Sequence, residues 1–337
     1  MTERILIVGY GSIGRRHLRL IREAQPESDI RVLSQSQVQE VPEYADGLFT
    51  NIDEALKSKP TIAIIANPAP YHLSVAKSLM RIGCHLLIEK PMATNSNDAE
   101  LFIQEIKSSG IAVQIGYNLR FLPSLVEFRR IIKNNELGRI FSIHCEVGQY
   151  LPTWRQGTDY RNGVSAKSEL GGGVLLELSH ELDYLRWIFG NIIWVSAWIG
   201  RLGDLDIDVE DTVYLTMGLT PEIQNKNQIV GTLSMDFARR DSTRYCQAIG
   251  TEGSLHWDAL QGTVRHYCTK TDKWNVIFDQ PPKPDISYIN QWNHFIKCIE
   301  HGIYPEVSAQ DGLSVLKVIE AARSSSAQSG IQVFVTT

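Results

Sequence analysis

Lys90 is the residue whose type and position best suit proton transfer. It lies in Glu89-Lys90-Pro91, directly after the apolar run His85 to Ile88, which predicts a buried strand. Ligands of parallel sheets bind beyond the carboxyl ends of the strands, so we expect Lys90 to face a ligand. Its ammonium group can donate to a hydroxyl or carbonyl oxygen and assist proton transfer. The alternative interpretation is an ordinary surface lysine in a loop.

Two neighbouring strand ends also carry polar groups. Asn67-Pro68 ends the strand predicted over Thr61 to Ala66, and His72 lies just inside the following helix. Asn118 follows the strand predicted over Ala112 to Gly116. Because these ends meet at one edge of a parallel sheet, we expect them to contribute to one cofactor site. The expected residues are Asn67, Pro68, His72, Glu89, Lys90 and Asn118.

A glycine-rich loop precedes all of these residues. Gly9-Tyr10-Gly11-Ser12-Ile13-Gly14 follows the predicted strand Ile5 to Val8 and leads into a helix predicted over Ile13 to Ala24. This context favours a dinucleotide site, in which the glycines permit a tight turn, approach of the pyrophosphate and close packing of the helix on the strand. The helix N-terminus supplies N–H groups for the phosphates. We expect cofactor contacts from Gly9, Gly11, Ser12, Ile13, Gly14 and Arg15.

The sequence leaves the choice between NAD and NADP open. NAD sites tend to carry an acid after the second strand, but the strand Ile30 to Leu33 ends in Ser34-Gln35-Ser36. Ser34 is therefore expected near the ribose, with no carboxylate to repel a 2′-phosphate. No arginine follows the strand to bind one, although Arg15 and Arg16 could approach. The balance favours NADP slightly.

A second set of titratable residues lies in one predicted helix, Val174 to Phe189. Glu177, His180, Glu181 and Tyr184 share one side of it, with Asp183 at the margin. A histidine there can shuttle a proton near neutral pH, and a carboxylate can orient it. We expect His180 to be catalytic, with Glu177 orienting it and Glu181 in reserve. The alternative is a core histidine bonded to a neighbouring acid.

The connection between residues 151 and 170 is rich in groups that recognise sugars. Its aromatic rings can stack on a sugar, and its arginines, together with Arg120, can hold hydroxyls, a phosphate or a carboxylate. A solvated loop with surface ion pairs is the alternative. The expected substrate-binding residues are Arg120, Trp154, Arg155, Tyr160, Arg161, Glu181 and Asp183.

Composition narrows the class of protein. The 337 residues exceed what one core usually supports, and the formal net charge of −5 argues against a nucleic-acid binder. We expect no membrane span, because no run approaches about 18 to 20 uninterrupted apolar residues. We expect no secretory leader, because glycines interrupt the first apolar run. Five scattered cysteines without a C-x-x-C pair favour reduced thiols in the cytoplasm and no metal site.

The order of the predicted elements indicates two domains. Strands alternate with helices up to residue 118, which predicts an α/β fold with an N-terminal Rossmann domain and a doubly wound parallel sheet over residues 1–118. From 193 to 277 the chain is β-rich, and two helices close it. Residues 119–337 are therefore expected to form a C-terminal α+β domain with a large, mostly antiparallel open sheet. We expect substrate binding and oligomerisation there, as a homodimer or homotetramer.

The chain resembles the glucose-fructose oxidoreductase, inositol dehydrogenase and MocA family. The matching motifs are G-Y-G-S-I-G-R-R-H (Gly9 to His17), A-N-P-x-x-x-H (Ala66 to His72), E-K-P (Glu89 to Pro91), G-Y-N-x-R-F (Gly116 to Phe121) and G-G-G-x-L-L-E (Gly171 to Glu177). The resemblance implies a Rossmann domain with an open-sheet domain and nicotinamide-dependent oxidation or reduction of sugar-like alcohols. It also implies that Lys90 binds the reacting oxygen.

The chain departs from the family pattern at one position. Family members usually place Asp and His four residues apart, whereas here E-L-S-H-E puts His180 three residues after Glu177. Removing one residue from a helix rotates the later part of that helix by about 100°.

We therefore expect a hydride transfer between nicotinamide and a carbinol or carbonyl carbon of a sugar, nucleotide-sugar or cyclitol. One alternative is transient redox of bound NAD that gives hydrolysis, elimination or epimerisation. The other is a non-catalytic dinucleotide sensor.

Overall fold

The computed structural model describes residues 3–35, 40–155, 157–220 and 228–336. Ser36, at the end of the Ser34-Gln35-Ser36 segment, lies outside these residues. Contacts divide the chain into two compact units. One comprises residues 1–117 and 288–316, and the other comprises residues 118–287 and 317–337.

The first unit contains a six-stranded parallel sheet. Its strand order is 3-2-1-4-5-6, the doubly wound arrangement expected from the alternating pattern. The strands are β1 (Arg4–Val8), β2 (Asp29–Leu33), β3 (Gly47–Phe49), β4 (Ile62–Ile65), β5 (His85–Ile88) and β6 (Val113–Ile115). The helices between them are α1 (Ser12–Ala24), α2 (Ile52–Lys57), α3 (His72–Met80) and α4 (Ser96–Ile106). The short β3 was missed because residues 47–49 lie in a polar region.

The second unit contains a nine-stranded sheet. Its order is β14-β13-β12-β11-β7-β10-β9-β8-β15, and all neighbours are antiparallel except β7 and β10. The strands are β7 (Ile140–Gly148), β8 (Asn191–Gly200), β9 (Thr212–Thr220), β10 (Ile229–Asp236), β11 (Thr243–Gly250), β12 (Gly253–Asp258), β13 (Thr263–Cys268), β14 (Lys273–Asp279) and β15 (Val333–Phe334). The predicted fold class, a parallel Rossmann sheet plus a mostly antiparallel open sheet, is confirmed.

Helices cover one face of this second sheet. They are α5 (Pro123–Lys133), α6 (Val174–Glu177) and α7 (His180–Phe189). Trp257 on β12 is fully buried beneath them, with its ring 5.4 Å from Tyr184 and 6.5 Å from Phe128. The described residues between β7 and α6 include four short 3₁₀ turns. On the opposite face of the sheet, alternate side chains of β8, β9 and β10 are exposed or partly exposed.

The helix predicted over Val174 to Phe189 is two helices. The break falls at Leu178 and Ser179, where Leu178 has a ψ of 23°. The Ser179 hydroxyl donates to the Leu176 carbonyl at 2.8 Å, a local bond that competes with helix continuation. His180 therefore begins a new helix, and the positions of Glu177 and His180 no longer follow one helical wheel.

Two further helices are α8 (Ile286–His301) and α9 (Ala309–Ala327). Both helices were expected in the second domain. Residues 288–316, which comprise most of α8 and the start of α9, cluster with the first unit, and the rest of α9 clusters with the second. The reason is apolar packing, because Trp292 and Phe295 are buried in the same core as Ile5, Ile7 and Ile64 of the parallel sheet. Within the described part of the chain, no helix is both long enough and apolar enough to cross a bilayer.

Candidate functional site

The three glycines of the loop have three different surroundings. Gly9 has a φ of +93°, which strongly favours glycine, and a Cβ there would lie 2.6 Å from the Asn67 nitrogen. A Cβ on Gly14 would collide with the Gly9 carbonyl oxygen. A Cβ on Gly11 would meet no atom within 4 Å. Gly9 and Gly14 are thus required by the fold itself, whereas the fold places no steric demand on Gly11.

The N-terminus of α1 has the features of an anion site. Gly11 is its N-cap and offers no side-chain acceptor, and the first turn carries no acid. Arg15 lies over the Tyr10 ring at 4.5 Å and donates through Nε to the Tyr10 carbonyl at 3.2 Å. Helix N–H groups without acceptors and a neighbouring cation suit a phosphate group.

Asn67 adds a second sign of a ligand. It follows β4, close to Gly9, and its Oδ1 atom is buried with no hydrogen-bond partner among the described residues. Buried amide oxygens are usually paired, so this atom is suited to accept a bond from a ligand. Pro68, the next residue, is the N-cap of the 3₁₀ turn Ala69–Tyr71. Together with Gly11 and the start of α1, Asn67 fits a dinucleotide.

The ribose side of this unit carries Ser34. It is buried after β2, and its backbone N–H donates to the Phe49 carbonyl at 3.0 Å. Gln35 follows it and is exposed. No carboxylate occupies either position, in agreement with the sequence.

Lys90 follows β5 and is partly buried. Its backbone N–H donates to Glu89 Oε2 at 3.2 Å, and Glu89 Oε1 lies 2.7 Å from His17 Nε2. Burial alone raises the pKa of Glu89, but the bond and charge of His17, together with Lys90, bring that pKa below its usual value. Glu89 is therefore held as a buried carboxylate immediately beside the candidate catalytic lysine.

His72 connects the two loops that carry Asn67 and Lys90. Its Nε2 lies 2.7 Å from the Asn67 carbonyl oxygen and its Nδ1 lies 3.0 Å from that of Pro91. Burial lowers the pKa of His72, although the bonds to Asn67 and Pro91 and the charge of Glu89 oppose this. Both nitrogens face protein carbonyl oxygens, and the neutral ring can donate to one of the two. His72 therefore links the two loops.

The second unit brings together a different set of residues. Asn118 begins a 3₁₀ turn (Asn118–Phe121) and donates through Nδ2 to the Ser287 hydroxyl at 2.7 Å. Arg120, in the same turn, makes a bidentate ion pair with Asp183 of α7 at 2.8 and 2.6 Å. Both members of this pair are almost completely buried. Arg120 and Asp183, expected to bind substrate, thus neutralise each other inside the protein.

Glu181 is likewise engaged within the protein. It is fully buried, and its Oε1 lies 2.8 Å from Arg244 Nε of β11. Tyr184, one turn further along α7, is within 2.7 Å of the Cys145 sulfur, and burial raises its pKa well above 10.0. Glu177 and His180 flank the break between α6 and α7, and both are only partly buried. Of the acidic and basic residues predicted here, these two retain access to the surface.

The predicted substrate residues of the 151–170 segment lie at or near the surface. Trp154 packs edge-on against Phe237 at 5.1 Å and donates to the Gln149 carbonyl. Arg161 pairs with Asp159 at 2.8 Å and is exposed, and Arg155 is exposed as well. The Tyr160 hydroxyl accepts from the Asp206 N–H at 3.2 Å.

His17, which contacts Glu89, was not among the expected site residues. Its signal was a polar residue at helical spacing from Gly14 and Ile21 on the buried face of α1. The partner, Glu89, is 72 positions away in sequence and so could not be identified. Within the described residues, no cluster of three His, Cys, Asp or Glu side chains is arranged for a metal ion.

Comparisons with known proteins give matches along most of the chain. Two models of the Gfo/Idh/MocA family match, one described as oxidoreductase family, NAD-binding Rossmann fold (residues 3–117), and one as oxidoreductase family, C-terminal alpha/beta domain (residues 129–334). The uncharacterized oxidoreductase YrbE of Bacillus subtilis is 24% identical, over 96% of this chain and 95% of that protein. Myo-inositol 2-dehydrogenase of Thermotoga maritima is 23% identical, over 96% of each chain.

Solved structures share the same fold. Levoglucosan dehydrogenase in complex with NADH and levoglucosan superimposes with a TM-score of 0.85 at 18% identity, over all of both chains. The WlbA dehydrogenase of Bordetella pertussis in complex with NADH and UDP-GlcNAcA gives 0.81 at 19% identity, also over all of both chains.

Proposed function

The chain belongs to the Gfo/Idh/MocA oxidoreductase family, and from this membership we propose that it oxidises or reduces a CH–OH group of a sugar, nucleotide-sugar or cyclitol with NAD or NADP. Relatives named as inositol, glucose-6-phosphate and apiose dehydrogenases support this substrate class. The observation that carries the proposal is Lys90, held beside a buried carboxylate at the end of β5, in the same unit as the glycine loop.

Lys90 has the central role in this proposal. In the direction of reduction its ammonium group donates a hydrogen bond to the carbonyl oxygen and gives that oxygen a proton. In the direction of oxidation its neutral amine accepts the proton of the reacting hydroxyl. The bound cofactor supplies or accepts the hydride. The N–H groups at the start of α1 and the Asn67 amide bind and orient the dinucleotide, with contacts from Gly9, Gly11, Ser12, Ile13, Gly14 and Arg15.

His180 is proposed to relay the proton, with Glu177 orienting it. The break between α6 and α7 supports this choice, since it frees the two side chains from a fixed helical angle. Glu181 no longer serves as reserve, because it is fully buried against Arg244.

The proposed substrate contacts come from the 151–170 segment. Trp154 and Tyr160 offer rings for stacking on a sugar, and Arg155 and Arg161 offer guanidinium groups for hydroxyls or a phosphate. Arg120 and Asp183 are removed from this set, because their buried bidentate pair satisfies both charges.

The absence of an acid at Ser34 and Gln35 supports a slight preference for NADP over NAD. Arg15, stacked on Tyr10 beside the loop, and Arg16, 5.0 Å from the Tyr288 ring, are the candidate partners of a 2′-phosphate.

We further propose that the dinucleotide-binding domain is residues 1–118 supplemented by residues 288–316. The rest of 119–337 binds the substrate and oligomerises. Trp198 and Tyr214, on the outer face of the second sheet, are exposed with rings 6.3 Å apart, which supports a homodimer or homotetramer formed through that face. Five free thiols support a reducing compartment such as the cytoplasm.

A ligand screen followed by one substitution tests the function. Thermal shift with NAD(H) and NADP(H), each with panels of sugars, nucleotide-sugars and cyclitols, identifies ligands that raise the melting temperature. With a substrate identified, Lys90→Met should retain dinucleotide affinity and lose about 100-fold or more in kcat. Lys57→Met, an exposed lysine on α2, is the matched control and should keep full activity.

Two results would contradict the proposal. Full turnover by Lys90→Met would remove the lysine from the chemistry. Product formation without stoichiometric change in NAD(P)H absorbance would instead favour the alternative in which bound cofactor is oxidised and regenerated within each cycle.

A further inference from the structure

A buried carboxylate connects the glycine-loop helix to the lysine turn. Glu89 is only 6% exposed, and each of its two carboxylate oxygens has a hydrogen-bond partner in the protein. Oε1 lies 2.7 Å from His17 Nε2, and Oε2 accepts the backbone N–H of Lys90 at 3.2 Å. One side chain thus contacts both a helix residue and the peptide of the lysine.

The helix partner is itself fixed. His17 lies on α1, one turn after Gly14, and is 2% exposed. Its ring packs edge-on against Tyr288 at 5.6 Å, within the same unit. The N-terminus of α1, capped by Gly11, is proposed to hold the phosphates. Glu89 therefore joins this helix to the turn that carries Lys90.

The neighbouring strand leaves room for this carboxylate. Gly116 directly follows β6, and a Cβ there would lie 2.8 Å from Glu89 Oε2 and 2.9 Å from Glu89 Cα. The Gly116 N–H donates to the Ile88 carbonyl at 2.7 Å, so its backbone cannot move away without losing a ladder bond. Glycine at this position is therefore explained by the space that the Glu89 side chain occupies.

The other side of the turn is tied down as well. The His72 ring lies between the carbonyl oxygens of Pro91 and Asn67. The backbone around Lys90 is therefore held at two points, by the Glu89 side chain at the Lys90 amide and by the His72 ring at the Pro91 carbonyl. A lysine side chain is a flexible four-carbon stem, so a fixed backbone determines where that stem begins and narrows the region that its amine can reach.

We propose that Glu89 is a positioning residue that acts through Lys90 and, with His17, couples dinucleotide binding at α1 to the orientation of the lysine. The catalytic relevance of this coupling rests on the proposed role of Lys90. Glu89 and His72 were expected to contact the cofactor. In this proposal they hold the backbone of the turn that carries Lys90, through the Lys90 amide and the Pro91 carbonyl. A carboxylate buried at this position without His17 would carry the cost of an unpaired charge, so the bridge depends on both members.

Hydrogen–deuterium exchange of the full-length protein, resolved to single amides by fragmentation, tests the bridge without any substrate. His17→Leu removes the imidazole that holds Glu89 Oε1. The released carboxylate should then lose its bond to the Lys90 amide, and exchange of that amide should become about 10-fold faster, the effect of losing a hydrogen bond to a charged acceptor. His17→Gln retains a donor and should restore slow exchange. Gly116→Ala displaces the carboxylate and should reproduce the fast exchange. The Ile115 amide, bonded to the Val307 carbonyl at 3.0 Å, is the internal control in the two His17 variants.

The coupling has its own readout. Saturating NADH should slow exchange of the Lys90 amide further in the wild type, and much less in His17→Leu, although shielding by the bound cofactor is the same in both. Equal slowing in the two proteins would overturn the coupling. Unchanged Lys90 exchange in both His17→Leu and Gly116→Ala would overturn the bridge itself.

Kinetics separate this inference from the proposed function. With a substrate from the screen, His17→Leu should lower kcat about 10-fold while the Kd for NADH stays within about threefold, and His17→Gln should recover the activity. If Lys90→Met is inactive but His17→Leu is fully active, the proposed function stands and the positioning role is wrong. If exchange responds as expected while Lys90→Met is fully active, the bridge exists and the role of Lys90 is wrong.

Discussion

The Arg120–Asp183 ion pair leads to a prediction about stability that also decides its role. The guanidinium of Arg120 and the carboxylate of Asp183 are joined by two bonds of 2.8 and 2.6 Å, with side-chain exposures of 3% and 1%. If the pair is structural, as its burial indicates, Asp183→Leu should destabilise the second unit. If it binds substrate, the same change should act mainly on KM.

The magnitude depends on the surroundings of Arg120 after the substitution. Arg120 would keep its charge in a buried site and lose its bidentate carboxylate partner, with the Trp187 ring 5.7 Å away. Removing one partner of a buried pair costs about 3 to 5 kcal/mol. For a unit of this size, that corresponds to a fall in the melting temperature on the order of 10 °C. Replacing both partners, Arg120→Met with Asp183→Leu, should recover most of the loss, because the buried charge is removed together with its partner.

Calorimetry and urea unfolding followed by tryptophan fluorescence measure these effects. Because the chain has two units, the transition of the second unit must be resolved from that of the first. Arg161→Met, which breaks an exposed pair with Asp159, is the matched control and should change stability little. A single Asp183→Leu variant as stable as the wild type, with a raised KM, would refute the structural assignment.

Three further predictions concern the loop, His72 and the sheet face. Gly11→Val should weaken NADH binding about 10-fold or more in a fluorescence titration, with little change in melting temperature. Gly14→Ala should lower the melting temperature, because its Cβ collides with Gly9. Equal losses of affinity in the two variants, with no fall in the melting temperature of Gly14→Ala, would contradict this. Burial lowers the pKa of His72 below 6.5, so at lower pH the unfolded chain binds a proton that the folded chain excludes. The free energy of unfolding should therefore fall as the pH drops below about 6.5. His72→Gln should reduce this pH dependence in urea midpoints measured from pH 5 to 8. Trp198→Asp should shift the mass measured by light scattering towards 38.0 kDa, the mass of a single chain. An unchanged mass would exclude the outer face of the second sheet as the interface.

The parallel sheet and the dinucleotide loop were predictable because their signals are local. Buried strands such as Ile62–Ile65 read as continuous apolar runs, and the glycine spacing carries its own steric reason. The residue that follows each strand could also be placed, since the carboxyl ends of parallel strands share one edge.

The break before His180 could not be predicted, because apolar spacing continues through Leu176, Leu178 and Leu182 without a proline or glycine. A single serine hydroxyl bonding backward and one residue with a ψ of 23° interrupt the helix. Such local competition is invisible to a periodic pattern.

Partners distant in sequence were also beyond reach. Trp292 and Phe295 show that α8 has an apolar face, but the pattern does not say which sheet covers it. In the same way, Arg120 and Asp183 each have a side chain that could bind a substrate. They are 63 residues apart in sequence, and only the fold brings them into contact with each other. Burial, which converts a charge from a ligand group into a structural one, follows from the fold and not from residue type.

A crystal structure with bound NAD(H) or NADP(H) tests the central claim most directly, through the distance from the nicotinamide C4 atom to Lys90 Nζ. We expect a distance that one substrate carbon and its oxygen can span, with the pyrophosphate at the N-terminus of α1. A nicotinamide ring more than about 10 Å from the amine would contradict it, because no bound reactant could then contact both.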